Sequence, residues 1–122
     1  MADVTKITSG SLIAADQVEG TSVYNTNGEK LGTVEDIMLD KVSGKAIYAL
    51  MGFGGFLGIG EKQHPLPWSA LTYDTSKEGF VVNLDKQKLE QAPTLDPDDE
   101  SFEWTPDYGR RVDQYYGAPS YW

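Results

Sequence analysis

The sequence predicts a mainly β fold: a small, strongly bent antiparallel β-barrel with a short C-terminal helix. Three observations support this prediction. Short apolar runs alternate with turns that contain glycine, the run at residues 30–40 loses its alternation midway, and the run at residues 46–53 is apolar on both parities. A lost alternation is typical of a β-bulge, which bends a strand, and apolar residues on both parities predict burial of both strand faces.

The first strand lies between a helical turn and a hairpin turn. Residues 14–20 predict one turn of helix, which Gly20 can end in the left-handed conformation. Residues 22–24 predict the strand. The pair Asn27-Gly28 follows it and tolerates the positive φ angles of a tight hairpin.

The second strand, residues 30–40, carries the predicted bulge. Val34 and Ile37 are both apolar but have opposite parity, so they cannot face the same side of a regular strand. One extra residue near Glu35 or Asp36 would restore the register and bend the strand. Bending of this kind curls a short sheet into a barrel.

The third strand, residues 46–53, follows a turn at residues 41–44. One of its apolar faces would line the barrel, and the other needs a cover from a terminal segment or from a partner. A glycine-rich loop comes next. We expect this loop to be core, a contact patch or both, and its large apolar side chains are Phe53, Phe56, Leu57 and Ile59.

The remaining barrel elements are short. A strand at residues 64–68 contains two prolines, which cannot donate ladder hydrogen bonds, so it should be an edge strand or a margin of the barrel. A turn of helix at residues 69–71 follows, then a last strand at residues 80–84. Asp85 can cap a short helix at residues 86–91.

Residues 92–122 combine an acidic linker with an aromatic-rich segment. Thr105 and Pro106 have the N-cap and first-turn signals of a helix that runs to about Tyr116. The periodicity predicts one face with Tyr108, Val112, Tyr115 and Tyr116, and an opposite face with Arg110, Arg111, Asp113 and Gln114.

Half of the aromatic residues lie after position 100. Disordered tails are usually poor in aromatics, so we expect this segment to dock, either on the chain's own barrel or on a second copy. Glycine at position 109 should weaken the helix by roughly 1 kcal/mol relative to alanine. The aromatic residues are Phe102, Trp104, Tyr108, Tyr115, Tyr116, Tyr121 and Trp122.

Five blocks of the sequence, taken in order, resemble the PRC-barrel domain family. The blocks are Gly20-x-x-Val23-Tyr24-Asn25; Asn27-Gly28-Glu29-Lys30-Leu31-Gly32-x-Val34-Glu35-Asp36-Ile37; Lys45-Ala46-Ile47-Tyr48; Gly54-Gly55-Phe56-Leu57-Gly58-Ile59-Gly60; and Pro65-x-Pro67-Trp68. The family is named after the cytoplasmic domain of the photosynthetic reaction-centre H subunit and also occurs in the ribosome maturation factor RimM. The resemblance covers about residues 12–91.

The resemblance implies a barrel of about six strands with a docking or adaptor role, and the family has no catalytic residues to place on this chain. It divides the chain into a flexible N-terminal arm at residues 1–11, the PRC-barrel domain at residues 12–91, and the acidic linker with its aromatic-rich helix and tail at residues 92–122. The sequence shows neither the transmembrane helix of the reaction-centre subunit nor the additional N-terminal domain of RimM. Neither specific task therefore carries over.

The composition excludes several classes of site. The chain has 122 residues, enough for one domain with a core, and no cysteine, which excludes disulfides and thiol chemistry. Its formal charge of −9 disfavours direct nucleic-acid binding. It contains no apolar run of membrane-spanning length and no signal-peptide pattern at its start. We therefore expect a cytoplasmic protein, and peripheral membrane association stays open.

The residues form no recognisable catalytic or metal-binding pattern. His64 is the single histidine, without a cysteine or second histidine to share a metal. The glycine-rich loop lacks the Gly-Lys-Ser/Thr of a phosphate cradle, and the linker carboxylates lack EF-hand spacing. We predict no enzyme activity, no cofactor and no metal.

We therefore expect a non-enzymatic adaptor that contacts proteins and forms a homodimer, with a partner that the sequence does not identify. The alternative is a regulator of electron transfer near a quinone or another small ligand, as in the reaction-centre subunit, and it requires a pocket for a ring compound. The interface candidates are Phe53, Phe56, Leu57, Ile59, Trp104, Tyr108, Tyr115, Tyr116 and Trp122.

Overall fold

The computed structural model describes residues 12–52 and 62–122. Its strands are Ser22–Tyr24 (β1), Lys30–Leu39 (β2), Ala46–Gly52 (β3), Gln63–Pro67 (β4), Thr72–Asp74 (β5) and Gly79–Val81 (β6). Its α-helices are Ala15–Val18 (α1), Lys86–Glu90 (α2) and Pro106–Tyr116 (α3), and a 3₁₀ turn at Trp68–Ala70 links β4 to β5. Together the strands form a mixed six-stranded sheet in the order β4-β3-β2-β1-β6-β5.

The hairpin between β1 and β2 is held by Asn25. Its side-chain Oδ1 accepts hydrogen bonds from the backbone N–H groups of Asn27 and Glu29, at 3.0 and 2.9 Å. Gly28 has a φ of 84°, a conformation that costs glycine little. The predicted Asn-Gly turn is confirmed.

The predicted bulge in β2 is also confirmed. Val34 pairs with Met51 and Asp36 pairs with Leu50, which leaves Glu35 as the extra residue. Because of this shift, Val34 is fully buried and Ile37 packs against the same core, although their positions have opposite parity.

One pairing contradicts the prediction of a wholly antiparallel sheet. Val23 of β1 pairs with Phe80 of β6, and these two strands run parallel. The chain enters β5 at the outer edge of the sheet and returns through an antiparallel hairpin, so β6 reaches β1 running in the same direction.

The sheet bends, but a closed barrel is not confirmed. The edge strands β4 and β5 do not pair within the described residues. In a flat six-stranded sheet these edges would lie about 24 Å apart. The connection from Pro67 to Thr72 spans at most roughly 17 Å when extended, so the sheet has to bend toward itself. The two prolines of β4 leave its edge poor in donors, as predicted.

The main core lies on one side of this sheet. Val23, Val34, Ala49, Met51 and Leu66 each have no exposed area, and Val18 from α1 and Leu89 from α2 belong to the same cluster. The other face of β3 is therefore left for a separate cover.

Candidate functional site

The outer face of β3 is covered by α3. Tyr48 of β3 is 2% exposed and packs against Tyr108 and Val112 of α3, in a cluster distinct from the main core. Because β3 is apolar on both faces, its outer face needs a cover. Helix α3 of the same chain supplies it. Partly buried side chains around this contact are Met38, Ile47, Phe102, Trp104 and Tyr116.

The sequence signals at the ends of α3 explain its position. The Thr105 hydroxyl accepts a hydrogen bond from the Tyr108 N–H at 3.1 Å, and Pro106 occupies the first turn. Gly117 ends the helix with a φ of 64°. The chain then reverses, and residues 118–122 run back along the helix.

Aromatic rings contact each other in tilted and edge-to-face geometry along this interface. The ring centroids of Tyr48 and Trp104 are 5.0 Å apart, and those of Trp104 and Tyr108 are 5.2 Å apart. Phe102 packs edge-on against Tyr108 at 5.2 Å. Such pairs add roughly 0.5–1.5 kcal/mol each beyond the area they bury.

A buried polar network crosses the same interface. The Tyr48 hydroxyl donates to Oδ1 of Asp113 and accepts from the indole N–H of Trp122, both at 2.9 Å. Oδ2 of Asp113 accepts from the backbone N–H of Tyr121 at 3.1 Å. Asp113 is only 3% exposed, so the prediction that it faces away from the docking surface is wrong. Burial raises the pKa of the Tyr48 hydroxyl above its ordinary range, which keeps it protonated as a donor.

Gly109 provides the space for this network. A Cβ atom at this position would lie 1.8 Å from the Trp122 Nε1, so the indole ring rests directly on the helix backbone. No other residue type could accept the ring there without displacing it. The sequence predicted only that Gly109 weakens the helix. In the structure, Gly109 leaves the space that the Trp122 ring occupies.

The end of the segment is anchored to the hairpin between β2 and β3. The Tyr121 hydroxyl donates to Oδ2 of Asp40, whose Oδ1 accepts from the N–H groups of Val42 and Ser43. The Tyr121 bond, followed by these backbone bonds, lowers the pKa of Asp40 to about 2. Large apolar side chains stay exposed around this anchor: Leu39 at 56%, Val42 at 95%, Tyr121 at 43% and Trp122 at 38%.

Titratable groups elsewhere offer little chemistry. His64 in β4 is 5% exposed, and burial lowers its pKa to about 4, so it is neutral at physiological pH. Residues 12–52 and 62–122 contain no group of three or more histidine, cysteine, aspartate or glutamate side chains that could hold a metal ion.

A shallow groove lies at the other edge of the sheet. Its volume is about 570 Å³, and its walls come from β5, β6 and the end of β1, with Thr72, Tyr73, Asp74, Val81 and Asn83 among the lining residues. Threonine, aspartate and asparagine side chains share this lining with the apolar side chains of Ala70, Tyr73 and Val81. No helix in the described ranges has both the length and the hydropathy needed to cross a bilayer.

The comparison with known families agrees with this fold. Residues 11–89 match the PRC-barrel domain, well over half of the chain. The chain belongs to the PRC-barrel domain family. The match ends before α3, so the segment that covers β3 lies outside the residues that define the PRC-barrel match.

Two relatives were compared with this PRC-barrel protein. A protein of Deinococcus radiodurans described as uncharacterized is 27% identical over 78 residues, which cover 60% of this chain and 28% of the relative. The crystal structure of the 16S ribosomal RNA processing protein RimM from Pseudomonas aeruginosa aligns with a TM-score of 0.40 and 17% identity, over 61% of this chain and 44% of RimM. This chain therefore spans less than half the length of either relative.

The predicted interface residues of the PRC-barrel protein divide into two groups. Phe53, Phe56, Leu57 and Ile59 lie outside the described residues. The other group is brought together on α3 and the outer face of β3, except that Tyr115 lies at the margin, where its hydroxyl donates to the Lys88 carbonyl. This second group comprises Trp104, Tyr108, Tyr115, Tyr116 and Trp122.

Three residues of this site were missed by sequence reasoning: Tyr48 as a hydrogen-bonding centre, Gly109 as a seat and Asp113 as a buried acceptor. A signal for two of them was present. Gly109 and Asp113 are separated by four positions and share one stripe of the helix with Val112. A polar residue beside a glycine on an apolar stripe indicates a specific contact rather than a solvated face.

Proposed function

We propose that this PRC-barrel protein is a non-enzymatic, cytoplasmic protein-interaction module that associates with itself. The supporting observation is the covered face of β3. An apolar strand face of the barrel domain is occupied by an aromatic helix from outside the domain, so the face is suited to binding a helix. The contacts around Tyr48 and Asp113 add specificity to that surface.

A second surface extends the proposal. The exposed side chains of Leu39, Val42, Tyr121 and Trp122 lie around the hairpin that anchors the aromatic segment. An apolar surface of this kind favours association. We place the glycine-rich loop, with Phe56 and Leu57, at the other contact surface, on the basis of its composition.

The association state tests this proposal directly. Sedimentation of the full chain over a wide concentration range should show a reversible dimer. Phe56→Asp and Leu57→Asp should weaken the dimer, whereas Thr72→Asp, in the exposed edge strand β5, should leave it unchanged. The proposal is wrong if the chain stays monomeric and no stoichiometric partner is recovered with it from a native lysate.

The electron-transfer alternative ranks lower. A quinone site needs an enclosed and mostly apolar pocket, whereas the groove beside β5 is open and mixes polar with apolar side chains. Addition of a soluble quinone should leave the melting temperature unchanged. A saturable rise would favour the alternative. If ribosomal proteins are recovered from the lysate, the charge of −9 makes direct RNA binding a weaker explanation than protein contacts.

A further inference from the structure

The contact between Trp122 and Gly109 has the features of a binding slot. The helix backbone at Gly109 forms the floor, the Tyr48 hydroxyl accepts the indole N–H at 2.9 Å, and Asp113 accepts the N–H of the preceding residue at 3.1 Å. A flat ring with a donor nitrogen satisfies all of these requirements. The ligand class that fits is an indole side chain with its own backbone.

The occupant of this slot is held less deeply than the helix beneath it. Tyr108, Val112 and Asp113 of α3 are buried, whereas Tyr121 and Trp122 are 43% and 38% exposed. Residues 118–122 can therefore leave while α3 stays on the sheet. Gly117, with its positive φ, is the hinge for such a movement.

We propose that the Gly109 slot is an exchangeable indole site, and that its second occupant is Trp122 of another copy of this chain. This inference rests on the proposed self-association and assigns its contact. A second copy carries the indole, the Tyr121 N–H and the Tyr121 hydroxyl in the same arrangement, so a two-fold pair satisfies both slots with contacts already present in one chain.

The reach of residues 118–122 agrees with a second copy as the occupant. Residues 118–122 reach at most roughly 17 Å, so exchange places the two α3 helices side by side.

A mixture of two full-length variants tests the exchange. The receiver, Trp122→Ala, keeps the slot and loses the ring. The donor, Gly109→Ala, keeps the ring and blocks its own slot. Each variant alone should be monomeric, and an equimolar mixture should form a 1:1 complex in native mass spectrometry and light scattering. The matched control mixture uses Gly109→Ala combined with Trp122→Ala as donor, and it should form no complex.

Free indole tests the slot without a second copy. Indole should raise the melting temperature of Trp122→Ala in a saturable manner, and Gly109→Ala combined with Trp122→Ala should show no such response. Equal responses of the two variants would overturn the slot. Rescue by indole without a mixed complex would overturn the second copy as its occupant.

The outcome also separates this inference from the proposed function. A wild-type dimer that persists when the variant mixture forms no complex would remove the exchange and retain the interaction module. A wild-type chain without any partner would remove the module itself, whatever the result with indole.

Discussion

At the scale of single residues, Tyr48 is the centre of the covered face. Its hydroxyl is the point where the sheet, α3 and Trp122 share hydrogen bonds. Because Asp113 is buried, its carboxylate depends on these donors for the interactions that water would otherwise provide. The tyrosine is therefore more than an apolar filler of the interface.

Tyr48→Phe should lower the free energy of unfolding by about 2 kcal/mol, because it leaves the buried Asp113 Oδ1 and the Trp122 N–H without their partner. Urea denaturation measures the loss. Tyr108→Phe is the matched control, since the buried Tyr108 hydroxyl has no hydrogen-bond partner in the described residues. Its removal should be neutral or stabilising. Equal losses in both variants would contradict the network.

His64 should make stability depend on pH in the mildly acidic range. Its pKa is about 4 in the folded protein and 6.5 as the ordinary value, so the unfolded chain binds a proton that the folded protein excludes. The contribution of His64 to the free energy of unfolding is about 3 kcal/mol in total. It is fully present above pH 6.5 and is lost as the pH falls toward 4. Urea denaturation at successive pH values should show a shallower decline for His64→Gln. Parallel curves for both proteins would contradict this assignment.

At the scale of elements, α3 is a helix whose function depends on both of its ends. Its N-cap fixes where the helix starts on the sheet, and Gly117 returns the chain to Gly109. Hydrophobic burial of Val112 and Tyr108 then holds the middle.

Thr105→Ala should destabilise α3 by about 1 kcal/mol, because the Tyr108 N–H loses its acceptor. Hydrogen exchange of the α3 amides should accelerate, with α2 unaffected. Asp85→Ala is the converse control, since Asp85 accepts the Lys88 N–H at the start of α2. Faster exchange in both helices for either variant would show that the caps do not act locally.

Sequence reasoning located most elements because their signals were local. The Asn27-Gly28 turn, the Glu35 bulge, the Asp85 cap and the start of α3 each depend on a few neighbouring residues. It missed β5, since no residue of Thr72–Asp74 is buried and no apolar run marks the strand.

The parts that sequence reasoning could not reach depend on distant residues. The parallel pairing of Val23 with Phe80 and the burial of Asp113 against Tyr48 are set by how elements meet in space. For the same reason, the prediction that Asp113 faces solvent followed its polarity and was wrong.

At the scale of the whole molecule, the curled sheet has two different sides. One side holds the main core, and the other side at β3 is covered by α3. The cover therefore packs directly on the PRC-barrel domain, although the family match does not include the cover.

Deletion of residues 101–122 should expose the β3 face, lower stability to urea and increase binding of a hydrophobic dye. The denaturant dependence of unfolding should also become shallower, because less surface is buried on folding. Deletion of residues 12–13, which are exposed and precede the N-cap of α1, is the control and should have little effect. A truncated chain that stayed soluble, monodisperse and equally stable would show that the segment is not an integral cover.

The parallel ladder between β1 and β6 has a kinetic consequence. Every other ladder joins strands that follow each other in the chain and can close rapidly as a hairpin. The β1–β6 ladder closes a long loop, which makes it the slow step of assembly. During refolding, the amide of Val82, which donates to the Tyr24 carbonyl at this ladder, should therefore acquire protection from exchange after the amides of β2 and β3, in a pulse-labelling experiment. Until this ladder forms, the sheet consists of two separate antiparallel units, β4-β3-β2-β1 and β6-β5.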